Sequence, residues 1–151
     1  MADNIQLLAF SLTTKKSVIN YSTTVSPSIT TIPITSSTSG TAIVADTSAT
    51  GHYLMVDGPY VNAIPVTQGI DVLLPSGTQI RSSHTAQLII PGLPLSATQC
   101  HVLPDLIAGS LLSIGLLCDH GCVAKFDATT VTIFHSNNII ITGFRCPLTK
   151  L

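Results

Sequence analysis

The chain has 151 residues and a formal net charge of −1, and 45% of its residues are hydrophobic while only 9% are charged. The length suits one domain, and the charged fraction is well below the roughly 25% of ordinary soluble domains. A nucleic-acid-binding protein normally carries a basic stripe, and this sequence has none, so composition argues against a nucleic-acid partner. A surface with so few charges favours a protein partner that covers apolar area.

The N-terminal part of the chain differs in amino-acid composition from the rest. Residues 11–40 are polar, rich in Ser and Thr, and interrupted by proline. Such a segment has few large apolar side chains whose burial could offset the entropy lost on ordering. We therefore predict that residues 1–40 are a largely disordered N-terminal segment and that residues 41–151 form the folded domain. An edge strand at residues 29–34 is the alternative.

Neither a secretion signal nor a membrane span is evident. The apolar run at residues 6–10 is too short for the core of a signal peptide. The longest apolar runs elsewhere have the length of a strand, far below the roughly 20 residues of a membrane-spanning helix. The sequence thus predicts a cytoplasmic protein with no membrane partner, whose cysteines stay free thiols. These are Cys100, Cys118, Cys122 and Cys146.

From residue 41 onward, short apolar runs alternate with turn signals. This pattern predicts strands at residues 42–45, 70–74, 78–82, 87–90, 131–134 and 139–142. We expect 78–82 and 87–90 to be the arms of one hairpin, and the last two strands to flank a hairpin loop at 135–138. The one helix signal spans residues 111–119 and ends near Gly121. The sequence therefore predicts an all-β barrel or sandwich with one short helix.

Two segments carry a family resemblance. The run IVADTSATGH at residues 43–52 resembles the active-site segment of retropepsin-like aspartic proteases of Copia-type LTR retrotransposons. In that family an apolar strand leads into Asp, Ser or Thr, Gly, Ala or Ser, and Ser or Thr, often followed closely by His. The run LLSIG at residues 111–115 resembles the family's closing segment, where an apolar pair and a glycine pack beneath the catalytic loop before a short helix.

The resemblance covers about residues 41–149 and implies a fold. It implies a retropepsin-like closed β-barrel with one short helix in its C-terminal half, which forms one half of a dimeric aspartic protease. The sequence departs from the family's pattern at Ser48, where the family has glycine. A Cβ at this position is expected to crowd either the bend of the loop or the bound peptide.

Peptide hydrolysis requires a base that activates water and an acid that protonates the carbonyl oxygen. Two carboxylates held about 3 Å apart can do both, because they cannot both ionise and so share one proton. Of the seven acidic residues, only Asp46 both follows a buried strand and opens the motif. One chain therefore supplies one carboxylate, and the twofold axis of a homodimer must bring the second.

The resemblance assigns roles to the residues of this loop. Asp46 is the catalytic residue of each subunit, and Thr47 supports it by a hydrogen bond across the twofold axis. Ser48 and Ala49 form the part of the loop that binds substrate. The implied reaction is that of an aspartic endopeptidase, which needs neither a metal nor an organic cofactor.

A flap that covers the substrate is expected after the motif. Its tip is predicted at residues 64–69, where Gly69 would give it mobility and contact the substrate. The implied substrate is a polypeptide, namely the cleavage junctions of the retrotransposon's own polyprotein. The implied location is the cytoplasm, including virus-like particles.

Other interpretations remain open from the sequence. Ser48 favours a catalytically inactive retropepsin-like module, decayed or domesticated, that acts in binding or dimerisation. The cluster Cys118, His120 and Cys122 contains zinc-ligand residue types but lacks a matching second pair, and a cysteine nucleophile beside His120 lacks an orienting group. His52 could line the substrate groove, although a structural role at a turn is the preferred interpretation.

Overall fold

The structure is a computed structural model that describes residues 10–12, 43–107 and 109–145. In these ranges the chain is mostly β, with twelve short strands, one α-helix and a 3₁₀ turn at Leu95–Ala97. The strands are β1 (Phe10–Leu12), β2 (Ile43–Asp46), β3 (His52–Leu54), β4 (Tyr60–Pro65), β5 (Asp71–Leu73), β6 (Gln79–Arg81), β7 (His84–Leu88), β8 (Gln99–Val102), β9 (Ser110–Ser113), β10 (Cys122–Phe126), β11 (Thr130–His135) and β12 (Asn138–Arg145). The prediction of an all-β class is confirmed.

The helix α1 is shorter than expected and spans Ile114–Asp119. The first residues of the predicted segment belong instead to β9, which pairs with β2 on one side and β3 on the other. This non-local pairing overrides the local helix signal, because it buries the apolar side chain of Leu112 completely. The predicted end is confirmed, since Gly121 follows the helix with φ +84.

Ten strands form one sheet, in the order β10-β11-β12-β1-β2-β9-β3-β8-β7-β4. Within the described ranges β10 and β4 end this ladder and do not pair with each other, so the expected closed barrel is not found. β4 has one neighbour, β7, and their register shifts between Val61 and Ile64. Its remaining edge is exposed, with Ile64 at 63% accessibility, and thus closes against nothing in the described chain.

Strand positions were predicted better than strand partners. β11 and β12 form the expected C-terminal hairpin, joined by Ser136 and Asn137 with φ of 50° and 65°. Positive φ at both central residues is the geometry of a tight two-residue hairpin turn. The other predicted hairpin, 78–82 with 87–90, is wrong. β6 pairs with β5 in a separate two-stranded sheet, and β7 lies between β4 and β8.

The core lies under the parallel pair of β2 and β9 in the middle of the sheet. Ile43 and Ala45 of β2 are fully buried, as are Leu112 of β9 and Leu117 of α1. Alternate residues of β11, Val131 and Ile133, belong to the same cluster, because side chains point to opposite faces along a strand. The packing fixes the end of β2, where Asp46 lies, against the end of β9.

Little of the N-terminal segment is within the described ranges. Residues Phe10–Leu12 form β1, which pairs with β2 and β12. The remainder of the segment predicted to be disordered, including the alternative edge strand at 29–34, lies outside the described residues. No helix among the described residues combines the length and the apolar character needed to cross a bilayer.

Candidate active site

Asp46 is the last residue of β2 and is only 6% exposed. Its Oδ1 accepts three hydrogen bonds from its own loop, from the Ser48 amide (2.8 Å), the Ser48 hydroxyl (2.7 Å) and the Ala49 amide (3.2 Å). Among the described residues none donates to Oδ2. The loop thus fixes the carboxylate through one oxygen and leaves the other for a further partner.

Ser48 does not strain the bend of this loop. It is not among the described residues with positive φ, so the backbone here does not require glycine. Its hydroxyl turns toward Asp46 instead of into the bend. The expectation that a Cβ crowds the bend is therefore wrong, whereas crowding of a bound peptide stays a prediction.

The two neighbours of Ser48 have different environments. Thr47 is exposed and makes no hydrogen bond with any described residue. Ala49 is half-buried, and its carbonyl oxygen accepts a hydrogen bond of 2.5 Å from the Ser113 hydroxyl. The loop is therefore attached to the body of the domain on the Ala49 side.

Ser113 lies directly beside Asp46 in the parallel register of β2 and β9. Its hydroxyl also accepts a hydrogen bond from the Leu116 amide, so Ser113 is the N-cap of α1. The glycine expected beneath the catalytic loop is not there, because Gly115 is an exposed residue within α1. The Ser113 hydroxyl at this position contacts both the Asp46 loop and the first turn of the helix.

His52 is completely buried and lies outside the lining of the cleft described below. Its Nδ1 accepts a hydrogen bond from the Ser113 amide (3.0 Å), and its Nε2 is 3.0 Å from the Ala97 carbonyl oxygen. Burial lowers the pKa of His52 to about 4, against the opposing effect of the Ala97 hydrogen bond and with a small further lowering from His120. The structural role preferred for this histidine is supported, as a link between elements.

A cleft of about 450 Å³ opens beside Asp46. Its lining is mainly apolar and comes from the Asp46 loop, the hairpin of β5 and β6, and the segment before and within β9. The lining residues are Asp46, Ser48, Ala49, Thr50, Tyr53, Asp71, Val72, Leu73, Leu74, Pro75, Leu106, Gly109 and Leu111. The cleft can therefore take an apolar side chain next to the carboxylate of Asp46.

The hairpin of β5 and β6 covers one wall of the cleft. Its turn is closed by hydrogen bonds from the Leu74 amide to Thr78 and from the Gly77 amide back to Leu74. Arg81 donates two hydrogen bonds to Asp71 across the strands, at 2.6 and 2.7 Å, which lower the pKa of Asp71. The hairpin is therefore stabilised by hydrogen bonds within itself. It forms a two-stranded sheet of its own, apart from the ten-stranded sheet.

The flap prediction placed the tip too early in the chain. Residues 64 and 65 end β4, and the tip of the hairpin at the cleft is at residues 74–78. Gly69 lies at the base of this hairpin and does not line the cleft. A Cβ there would overlap the carbonyl oxygen of Ser82, so Gly69 permits the close approach of two backbone segments and is not at the substrate position predicted for it.

The competing metal and cysteine sites gain no support. Among the described residues no group of three His, Cys, Asp or Glu side chains is arranged to hold a metal ion. Cys100, Cys118 and Cys122 are free thiols. Burial raises the pKa of Cys100 to about 12 and, together with the neighbouring Cys118, raises that of Cys122. A thiol of raised pKa is a poor nucleophile at neutral pH.

Sequence reasoning missed the contribution of Ser113 and of the hairpin at residues 71–81. A serine just before an apolar helical run is a known N-cap signal, which would have placed the helix start correctly. The run PSG at residues 75–77 is a turn signal between two predicted strands, but nothing local indicates which strand pairs with β6. Nothing in the neighbouring sequence indicated a role at the site for Tyr53, whose hydroxyl is 2.8 Å from Thr50 Oγ1.

Comparisons of the chain with protein-family models, with curated proteins and with solved structures found no match.

Proposed function

We propose that this chain is an aspartic endopeptidase that acts as a homodimer, with one Asp46 from each subunit in a single active site. The observation that carries the proposal is the state of the Asp46 carboxylate. It is buried at the end of a core strand, held through Oδ1 by its own loop, and it lines an apolar cleft. Three donors on Oδ1 leave Oδ2 to meet a second carboxylate or a water molecule.

In the proposed dimer the two Asp46 side chains approach each other at the twofold axis. One carboxylate takes a proton from a water molecule, which attacks the scissile carbonyl carbon, while the other carboxyl group gives its proton to the carbonyl oxygen, so that a gem-diol forms. The C–N bond then breaks as the carboxyl group that gained the proton passes it to the leaving nitrogen and the other carboxylate takes back a hydroxyl proton of the gem-diol. Thr47 is exposed beside Asp46 and can reach the second subunit.

The cleft supports a polypeptide as the substrate. Its walls are largely apolar, and the β5–β6 hairpin supplies exposed strand backbone of the kind that pairs with an extended peptide. Together with the retropepsin-like motif, we propose that the substrate is a polyprotein of the retrotransposon type, cleaved at its own junctions in the cytoplasm or in virus-like particles. The proposed reaction uses no metal or organic cofactor.

The proposed fold is that of one retropepsin-like subunit. In chain order, a core strand ends in the acidic loop, a hairpin follows beside the cleft, and a strand that pairs with the first leads into a short helix. This order is the one that the family resemblance implies. The proposal also predicts that a second copy covers the exposed Thr47.

A second candidate is an inactive module that binds or dimerises without cleaving. The position of Ser48 favours the inactive module. Its hydroxyl is held 2.7 Å from Asp46, and its side chain lines the cleft where a peptide would lie. If the Ser48 side chain blocks the peptide, the domain keeps its fold and loses its activity.

The test is a cleavage assay combined with sedimentation equilibrium. Purified chain is incubated with an unfolded protein from acidic to neutral pH, with and without pepstatin, and products are identified by mass spectrometry. The proposal expects a dimer whose cleavage is blocked by pepstatin and lost in Asp46→Asn, which keeps the size of the side chain. A folded protein with no turnover at any pH supports the inactive module, and a strict monomer contradicts the proposed dimeric enzyme.

A further inference from the structure

We propose that His52 is a positioning residue for the Asp46 loop, acting through Ser113. This inference rests on the proposed function for its effect on cleavage, and on geometry alone for its effect on the loop. The side chain of His52 lies in the core and does not line the cleft, so it acts without touching the substrate.

The two hydrogen bonds of His52 fix the protonation state of its imidazole ring. The Ser113 amide can only donate, so Nδ1 of His52 must be an acceptor and carries no proton. The Ala97 carbonyl can only accept, so Nε2 must donate and carries the proton. Both contacts agree on one neutral tautomer, and a second proton on the ring would face the Ser113 amide hydrogen.

Ser113 links His52 to the Asp46 loop. His52 fixes the Ser113 amide, and the Ser113 hydroxyl donates to the Ala49 carbonyl oxygen. The Ala49 amide in turn donates to Asp46 Oδ1. Three hydrogen bonds, through Ser113 and Ala49, therefore connect the buried ring to the carboxylate, in addition to the strand pairing of Asp46 with Ser113.

The two contacts of the His52 ring lead to different parts of the fold. The Ala97 bond anchors His52 to the 3₁₀ turn at Leu95–Ala97, away from the acidic loop. Only the Nδ1 contact leads toward Asp46. A change that removes the Nδ1 contact should disturb the loop, whereas a change that removes the Nε2 contact should cost stability and leave the loop in place.

Two substitutions distinguish these contacts. In His52→Asn the amide oxygen takes the place of Nδ1 and can accept from Ser113, but the Ala97 contact is lost. In His52→Gln the amide nitrogen reaches the place of Nε2 and can donate to Ala97, but the Ser113 contact is lost. Both variants lose the ring and one hydrogen bond, so they are matched controls for each other in stability.

The measurement is kcat and KM at a temperature where both variants are folded. We expect kcat of His52→Gln to fall at least tenfold with KM unchanged, and kcat of His52→Asn to stay within about threefold of the unsubstituted protein. Equal kcat in the two variants, or a higher kcat for His52→Gln, contradicts positioning through Ser113.

A readout without catalysis separates this inference from the proposed function. Hydrogen exchange of the Ser113 amide should be slow in the unsubstituted protein and in His52→Asn and fast in His52→Gln. If the unsubstituted chain cleaves nothing, the proposed function fails while this exchange pattern still decides the inference. If neither variant folds, ¹⁵N spectra of the histidines in the unsubstituted protein decide it, and a proton on Nδ1 of His52 overturns it.

Discussion

The Ser48 hydroxyl donates a hydrogen bond of 2.7 Å to Oδ1 of Asp46, two residues earlier in the chain. The same oxygen already accepts from the amides of Ser48 and Ala49. The Ser48 hydroxyl is therefore not needed to orient the carboxylate. The side chain of Ser48 nevertheless forms part of the cleft wall. Replacing Ser48 therefore tests whether its side chain crowds a bound peptide.

Ser48→Gly should increase cleavage. Removing the side chain widens the cleft beside Asp46 and retains both amide donors, so we expect kcat/KM to rise about tenfold, equivalent to ~1.4 kcal/mol of transition-state stabilisation. Ser48→Ala is the control, because it removes the hydroxyl and keeps the Cβ. We expect less than about a threefold change there. Steady-state kinetics with one peptide substrate measures both, and a Gly variant no faster than the unsubstituted chain contradicts crowding of the peptide.

Gly69→Ala should destabilise the domain. The added Cβ overlaps the carbonyl of Ser82, and backbone must move to accommodate it, so we expect a loss of about 2–3 kcal/mol in the free energy of unfolding. The control is Gly115→Ala, where the new Cβ would be 3.9 Å from its nearest neighbour. This exposed helical site should gain up to about 1 kcal/mol. Urea denaturation measures both, and equal effects would refute the proposed role of Gly69.

Stability should fall as the pH drops from 6.5 to 4. Burial lowers the pKa of His52 to about 4 from 6.5, so in this window the unfolded chain binds a proton that the folded chain excludes. The stabilisation is complete above pH 6.5, and we expect a loss of about 2 kcal/mol at pH 5. Denaturant unfolding at pH 7.5 and pH 5 checks the difference.

His52→Asn is the control for this pH dependence and should remove most of it. The neighbouring titratable groups are His120 and Cys100, the latter opposite His52 in the pairing of β3 with β8. Part of the slope will persist because burial also lowers the pKa of His101. An unchanged slope in the Asn variant would show that His52 titrates as an exposed histidine.

Cysteine labelling should separate exposed from buried thiols. In a Cys146→Ser background, iodoacetamide at pH 8 should modify Cys118, which is exposed, before Cys100 and Cys122, which are buried. Burial raises the pKa of Cys100 to about 12 from 9.0, so its thiolate fraction at pH 8 is about a thousandfold lower. Peptide mass mapping of the native and the urea-unfolded protein gives the order, and rapid native labelling of Cys100 contradicts its burial.

Local features of the site were predictable from neighbouring residues. A run of apolar and β-branched residues predicts β2, and the first polar residue after it is Asp46, at the strand end as expected. The turn at Ser136 and Asn137 and the helix end near Gly121 also follow from short-range residue preferences. Each depends on backbone conformations that only a few residues decide.

The partners of these elements were not predictable in the same way. The pairing of β5 with β6 was missed, and with it the hairpin beside the cleft, because a strand's sequence does not specify which strand it joins. The resemblance pointed to a glycine below the loop, while the register of β2 and β9 puts Ser113 there.

The amino-acid sequence by itself determined the mostly β character, the strand that delivers Asp46 and the loop residues that hold its carboxylate, because these depend on contacts between residues close in the chain. Only the tertiary structure decided that His52 is buried and neutral, that Ser113 joins it to this loop, and that residues 71–75 form a wall of the cleft. Those contacts join residues far apart in sequence, and packing of the whole core selects them.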